Sequence, residues 1–158
     1  MTSVTSEYEN LPRFADGRID YTHSKSAPVV LCIIEYDGKI LIVKRSGVIT
    51  YSGKWDVITG YIDNPKVSAI EHTLIEMEEE IGIKEDNVSE IKIRSAYKYI
   101  DKETKKELFI FPVLIKLKSK PDVTLNHENS EFEWINPNDL STYDTVPNLT
   151  NVIKRVLL

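Results

Sequence analysis

Residues 60–83 read GYIDNPKVSAIEHTLIEMEEEIGI, and the stretch ends with four glutamates in five positions: Glu76, Glu78, Glu79 and Glu80. Ser68 with Glu71 three residues on is the capping-box pattern, and Pro65 lies just before it. Val67, Ile70, Leu74, Met77 and Ile81 recur at three- and four-residue steps, which predicts a helix over 68–81 with one apolar face. Gly82 is suited to end it in the left-handed conformation. On that helix Glu76, Glu79 and Glu80 stand at i, i+3 and i+4 and share a side, read as opposite the apolar stripe. Like charges at these spacings each cost roughly a few tenths of a kcal/mol. They also sit at the helix end where the dipole favours cations. Two readings follow: a solvated acidic face, or a site completed by a hard divalent cation, which prefers oxygen ligands. Glu71 reads as a cap, Glu78 as a bystander, and His72 as a surface histidine one turn before Glu76.

Working outward, the 158 residues fit one compact domain. Upstream, APVVLCIIEYDGKILIVKRS holds two β-branched runs around Asp37-Gly38, a dipeptide that accepts positive φ at both positions of a tight hairpin. YSGKWDVITGYIDNP reads as a glycine-punctuated loop with a short strand at 55–59. Downstream, VSEIKIRSAYKYI and KELFIFPVLIKLK read as two long strands joined by the polar turn DKETK. Pro112 lacks a ladder donor and predicts an edge or a bulge in the second. EFEWI is a further short strand, residues 136–140 begin a turn or short helix, and VPNLTNVIKRVL is an amphipathic terminal helix. The fold class is therefore α+β (mixed α/β), with residues 1–24 as an N-terminal arm, a short strand near 18–21, and 25–158 as a single domain.

Composition narrows the function classes. A formal net charge of -5 argues against a broad nucleic-acid or anionic-membrane surface, so no nucleic-acid partner is expected. No apolar run is long enough for a membrane span, and the polar, acidic N-terminus is not a secretory signal. The lone Cys32 has no internal disulfide partner, and together these features predict a cytoplasmic setting. The arm or a sheet edge offers a surface for a homodimer.

Anchored on Gly82, the stretch over 60–83 resembles a degenerate Nudix box, whose pattern is Gly, five residues, Glu, seven residues, then Arg-Glu-hydrophobic-any-Glu-Glu-any-Gly-hydrophobic. Glu76, Met77, Glu79, Glu80, Gly82 and Ile83 match its second half. GKILIVKRS, GKWDVITG and EFEWINPNDL stand where Nudix chains carry similar segments, so the likeness spans about residues 28–158. Three positions depart: the pattern's glycine falls on Tyr61, with Gly60 one step earlier, its first glutamate on Val67, and its arginine on Ile75. If both charges are gone, the two apolar replacements are expected to pack.

The resemblance implies an α/β/α sandwich with a mixed central sheet, and hydrolysis of a diphosphate linkage in a nucleoside diphosphate joined to another group: a nucleotide, a nucleotide-sugar or a dinucleoside polyphosphate. It implies Mg²⁺, or Mn²⁺ in its place, held by Glu76, Glu79 and Glu80, with Glu79 or Glu80 also polarising water. Glu128 and Glu131 are the candidate general bases, against the plain alternative of loop and strand-end carboxylates. Arg45 and Lys44 are candidate phosphate contacts, and strand alternation lets only one of them face a given cleft. Arg45 is favoured for its bidentate fork. Tyr97 is the candidate for stacking on a base, beside Trp55, Tyr99 and Phe111, although aromatics in strands usually pack in the core. Trp134 is assigned to packing. The alternative is a catalytically weak Nudix-fold module that holds a nucleotide without turning it over.

Overall fold

The computed structural model describes residues 5–47 and 50–157. The first four residues of the expected arm and the final Leu158 lie outside them. The long apolar run of the sequence forms β1 (Ser26–Tyr36), which turns through Asp37 and Gly38, both at positive φ, into β2 (Lys39–Arg45). Two short strands follow, β3 (Trp55–Asp56) and β4 (Ile58–Tyr61), where one strand was expected. Helix α1 (Ala69–Ile81) comes next, then β5 (Val88–Ile93), β6 (Tyr97–Ile100), β7 (Glu107–Leu117), β8 (Asn129–Ile135) and helix α2 (Leu149–Leu157). Residues Pro137–Thr142 make the expected short helix, in 3-10 form.

All eight strands join one mixed sheet. β1 runs parallel to β7 over its length, from Ser26↔Glu107 to Glu35↔Lys116, and every other pairing is antiparallel. The β1–β2 hairpin splays beyond its turn. β2 pairs with β8 and β3, while β4 takes the place beside the first half of β1. Because β1 and β7 are covered on both faces they read as nearly continuous apolar runs. Ile33, Ile40, Ile42 and Leu114 pack on one face under Val152, Ile153 and Val156 of α2. Cys32, Ile34, Val113 and Ile115 pack on the other under Met77 and Ile81 of α1. This is the α/β/α sandwich.

Pro112 lies in a central strand, opposite Leu31 of β1, so the edge expectation is overturned. The sheet accommodates it through the partner strand. The Pro112 carbonyl accepts from the Arg94 amide at 3.0 Å, so the missing amide faces the same side, and there the long strand expected over 88–100 breaks into β5 and β6. The β5 and β6 registers on β7 differ by one residue across that break.

The strand expected near 18–21 is reduced to an isolated antiparallel bridge, Arg13↔Ile19. The segment is nonetheless fixed. Tyr8, Ile19 and Tyr21 form a small buried cluster with Ala27, and the Tyr21 hydroxyl donates to the Ile62 carbonyl at 2.6 Å. Among the described residues no helix is long and apolar enough to cross a membrane.

Candidate active site

Helix α1 forms as its sequence dictates. Ser68 accepts from the Glu71 amide, Glu71 reaches back to the Ser68 amide, and Gly82 closes the helix in the left-handed conformation. Met77 and Ile81, fully buried, hold it to the sheet. Burying each contributes about 1.5–3 kcal/mol, which exceeds the like-charge cost of the glutamates.

The glutamates do not share one outward face. At about 100° per residue Glu79 lies nearly opposite Met77, whereas Glu76 and Glu80 flank the apolar stripe. Glu79 is accordingly exposed, Glu76 half-buried, and Glu80 only 5% exposed. Glu76 and Glu80 line a cavity of about 500 Å³ whose wall also includes Arg45, Asp56, Gly60, Tyr97, Glu128 and Asn129.

Gly60 explains how Glu76 fits. A Cβ there would lie 2.8 Å from Glu76 Cδ and 2.9 Å from Oε1. The carboxylate thus rests against bare backbone of β4, and Gly60 supplies room that Tyr61, one step on, would not. On its other side His72 Nε2 lies 3.1 Å from Glu76 Oε1, one helical turn back. His72 is buried, which corrects the surface assignment: the Tyr61 carbonyl and the Asp63 carboxylate at the exit of β4 both act on its ring. Burial disfavours its charged form, yet Glu76 and Asp63 outweigh it and raise its pKa.

Glu80 is the most deeply set carboxylate. Its Oε1 accepts from Asn129 Nδ2 at 3.5 Å, and its Oε2 is buried without a hydrogen-bond partner. Burial first, then the neighbouring Glu128 and Glu76, push its pKa far up. Glu79 is raised by partial burial and by Glu76. The loop bearing Glu128 is tied to both sides of the site. Asn126 donates its amide to the Glu80 carbonyl at 3.2 Å, and the Ser46 amide donates to the Glu128 carbonyl at 2.9 Å.

Of the two candidate bases, only Glu128 reaches the cavity. Glu131 is exposed and pairs with Lys44 at 3.3 Å, and the structure places neither Glu131 nor Lys44 in the cavity wall. Arg45 does line it, held by the Thr50 carbonyl at 2.6 Å and by Asp56 at 3.3 Å. Tyr97 and Tyr99 also line it, as do Leu108 and Ile110, with the Arg155 guanidinium 4.7 Å over the Tyr97 ring. Trp55 packs edge-on against Tyr143 and Trp134 packs against the α1-side core.

The sequence reading missed several groups. Asp56 is buried in the wall, and burial lifts its pKa to about 6 although Arg45 opposes the shift. Asp63, Asn129 and Asp101 also line the cavity, Asp101 accepting from the Tyr51 hydroxyl at 2.9 Å. None sits in a local pattern. Only the adjacency of Asp56 to the glycine-punctuated stretch before the box hinted at it.

The family model for the NUDIX domain matches residues 25–156. The chain belongs to the Nudix family. Its class of activity is that of a Nudix pyrophosphohydrolase. Solved Nudix structures share the fold. An Ap4A hydrolase of C. elegans, in a binary complex, aligns at TM-score 0.67 with 18% identity, covering 83% of this chain and 95% of that one. A NUDIX hydrolase from Nitrosomonas europaea aligns at 0.70 with 19% identity, covering 84% and 89%. The NUDIX domain of Shewanella oneidensis NrtR, complexed with ADP ribose, aligns at 0.69 with 16% identity, covering 84% and 86%. Compared by sequence with curated proteins, the chain has no significant match.

Within this Nudix box the departures behave differently. Gly60 performs the close-approach task one position early. Val67 is half-buried, but Ile75, where the pattern has arginine, stays 39% exposed, so the expectation that both replacements pack fails at Ile75.

Proposed function

We propose that this Nudix protein is a divalent-cation-dependent hydrolase that cleaves the diphosphate linkage of a nucleoside diphosphate joined to another moiety. The observation that carries the reading is Glu80 Oε2, a buried carboxylate oxygen without a partner, set beside Glu76 and Glu128 in the cavity wall. Such an oxygen is costly to leave unpaired, and a cation is the partner its surroundings favour. The donor set is all oxygen, which suits Mg²⁺ or Mn²⁺. Among the described residues no group of three His, Cys, Asp or Glu side chains is placed to hold a metal ion by itself. That is compatible with a cation that keeps several waters and takes its remaining ligands from substrate phosphate. The carboxylates at the cavity therefore fit the group, with Glu76 and Glu80 as its holders, and Glu79, exposed and outside the cavity wall, would join them only by turning towards it.

Bound there, the cation would offset charge developing on the phosphate oxygens. The chain's own residues do the rest. Glu128, next to Glu80 in the cavity wall, takes a proton from the attacking water. The water oxygen bonds to phosphorus, the bridging P–O bond breaks, and the leaving group departs as a phosphate. Arg45 orients a phosphate oxygen, its guanidinium fixed by Asp56 and Thr50. Tyr97 and Tyr99, among aliphatic side chains, receive the nucleoside end.

The test is a panel of dinucleoside polyphosphates, ADP-ribose, nucleotide sugars and nucleoside triphosphates assayed with Mg²⁺ and with Mn²⁺. Turnover that EDTA abolishes, and that Glu80→Gln lowers about 100-fold or more, is the expected result. Ile75 and Val67, standing where the motif has charges, favour a second reading as a nucleotide-binding module. Binding without cation-dependent turnover across the panel would select it.

A further inference from the structure

Among the described residues the cavity wall carries six carboxylates and two guanidiniums, Arg18 and Arg45. A diphosphate entering so acidic a wall needs positive charge beyond one cation. Arg45 is already committed to Asp56 and the Thr50 carbonyl, and its side chain is 19% exposed. Arg18 is 52% exposed and comes from the N-terminal arm, outside the segment that matches the family.

The arm holds Arg18 at the cavity by its backbone. Ile19, 1% exposed, donates its amide to the Asp63 carbonyl at 2.7 Å, and the Phe14 amide donates to the Arg18 carbonyl at 2.8 Å. The guanidinium lies 5.2 Å from the centre of the Phe14 ring. Its Nε contacts Asp16 at 2.7 Å, its Nη1 reaches Asp63 Oδ2 at 3.4 Å, and Glu79 attracts it more weakly. The Asp16 pair is exposed on both sides and therefore weak, and a doubly charged phosphate group is a stronger partner for the same planar fork.

From this we infer that Arg18 is a substrate-binding residue: the N-terminal arm brings a guanidinium to the acidic mouth of the cavity, where it grips the diphosphate of the substrate. The inference rests on the hydrolase reading and adds the arm to the site.

The test uses the full chain and methylenediphosphonate, a non-hydrolysable diphosphate, titrated with Mg²⁺ by calorimetry. Arg18→Ala should weaken binding about tenfold or more, and raise KM on any turned-over substrate by a similar factor with a smaller change in kcat. Arg18→Lys should recover part of the loss, because it restores charge without the fork. Arg13→Ala, on the same arm but outside the cavity wall, should bind as wild type. Unchanged binding and KM in Arg18→Ala overturn the inference while leaving the hydrolase reading intact. So does a loss that Lys does not relieve and that tracks a fall in thermal midpoint, which marks a bracing role. Wild-type protein that neither binds the probe nor turns over any diphosphate overturns the hydrolase reading, and this one with it.

Discussion

Replacing Gly60 by Ala tests whether the glycine cradle of Glu76 matters to catalysis. Gly60 is not at positive φ, so the alanine backbone is unstrained. The conflict is with the carboxylate alone: the new Cβ would stand 2.8 Å from Glu76 Cδ. Non-bonded carbons rest at ~3.5 Å, so the carboxylate must swing away by roughly 0.7 Å. Because it is the free end of a flexible side chain, the fold absorbs the shift. Gly in a strand is disfavoured relative to Ala by about 0.5–1 kcal/mol, so stability should stay within about 1 kcal/mol of wild type. Catalytic geometry is less tolerant, since a displacement near 1 Å can cost about 100-fold. The expected result is a fall in kcat of about 10- to 100-fold at unchanged urea midpoint. If Gly60 acts through Glu76, the double variant Gly60→Ala/Glu76→Gln should be no worse than Glu76→Gln alone. Retention of kcat within about twofold, or full additivity in the double variant, would refute the reasoning.

Asp56 gives a pH signature. Its folded-state pKa, about 6 against 3.8 ordinarily, means that it favours the fold below pH 4 and loses that contribution as pH rises through 6. The swing is on the order of 3 kcal/mol. Asp56→Asn should remove that segment of the stability profile, read from urea midpoints between pH 4 and 7; identical slopes in the two proteins would count against it. Glu128→Gln should reduce kcat about 100-fold or more, whereas Glu131→Gln should stay within about twofold, because its carboxylate faces Lys44 rather than the cavity. Equal losses in steady-state assays would reverse the assignment of the base. Ser68→Ala removes the α1 cap and should cost about 1 kcal/mol in chemical denaturation, with a smaller effect on kcat.

Much of the frame was legible because it rests on local signals. The 68–81 helix announced itself through the spacing of Met77 and Ile81, its capping box and its terminal glycine. The β1–β2 hairpin followed from Asp37-Gly38, whose positive φ values few other pairs accept. Strand alternation also implied that Arg45 and Lys44 part company, and the structure turns only Arg45 to the cavity. Of the two expectations for Pro112 the edge failed, and the irregularity came in the neighbouring strand, because the donor's absence is not a property of its own strand alone. The sheet resolves it in a neighbour, breaking β5 from β6, and neighbours across a sheet are not written in local pattern.

The site divides along the same line. Sequence by itself determined that carboxylates cluster at one end of an amphipathic helix, and its motif determined the family. Only the tertiary structure decided which of them are buried, that Gly60 rather than Tyr61 makes room for Glu76, and that His72 lies beneath the surface. It alone brought Asp56, Glu128 and Arg18 to one cavity from β3, a loop before β8, and the arm. Helical periodicity fixes the direction of a side chain about its own axis. What that side chain meets depends on segments distant in the chain, placed by the pairing of β1 with β7 and the docking of the arm.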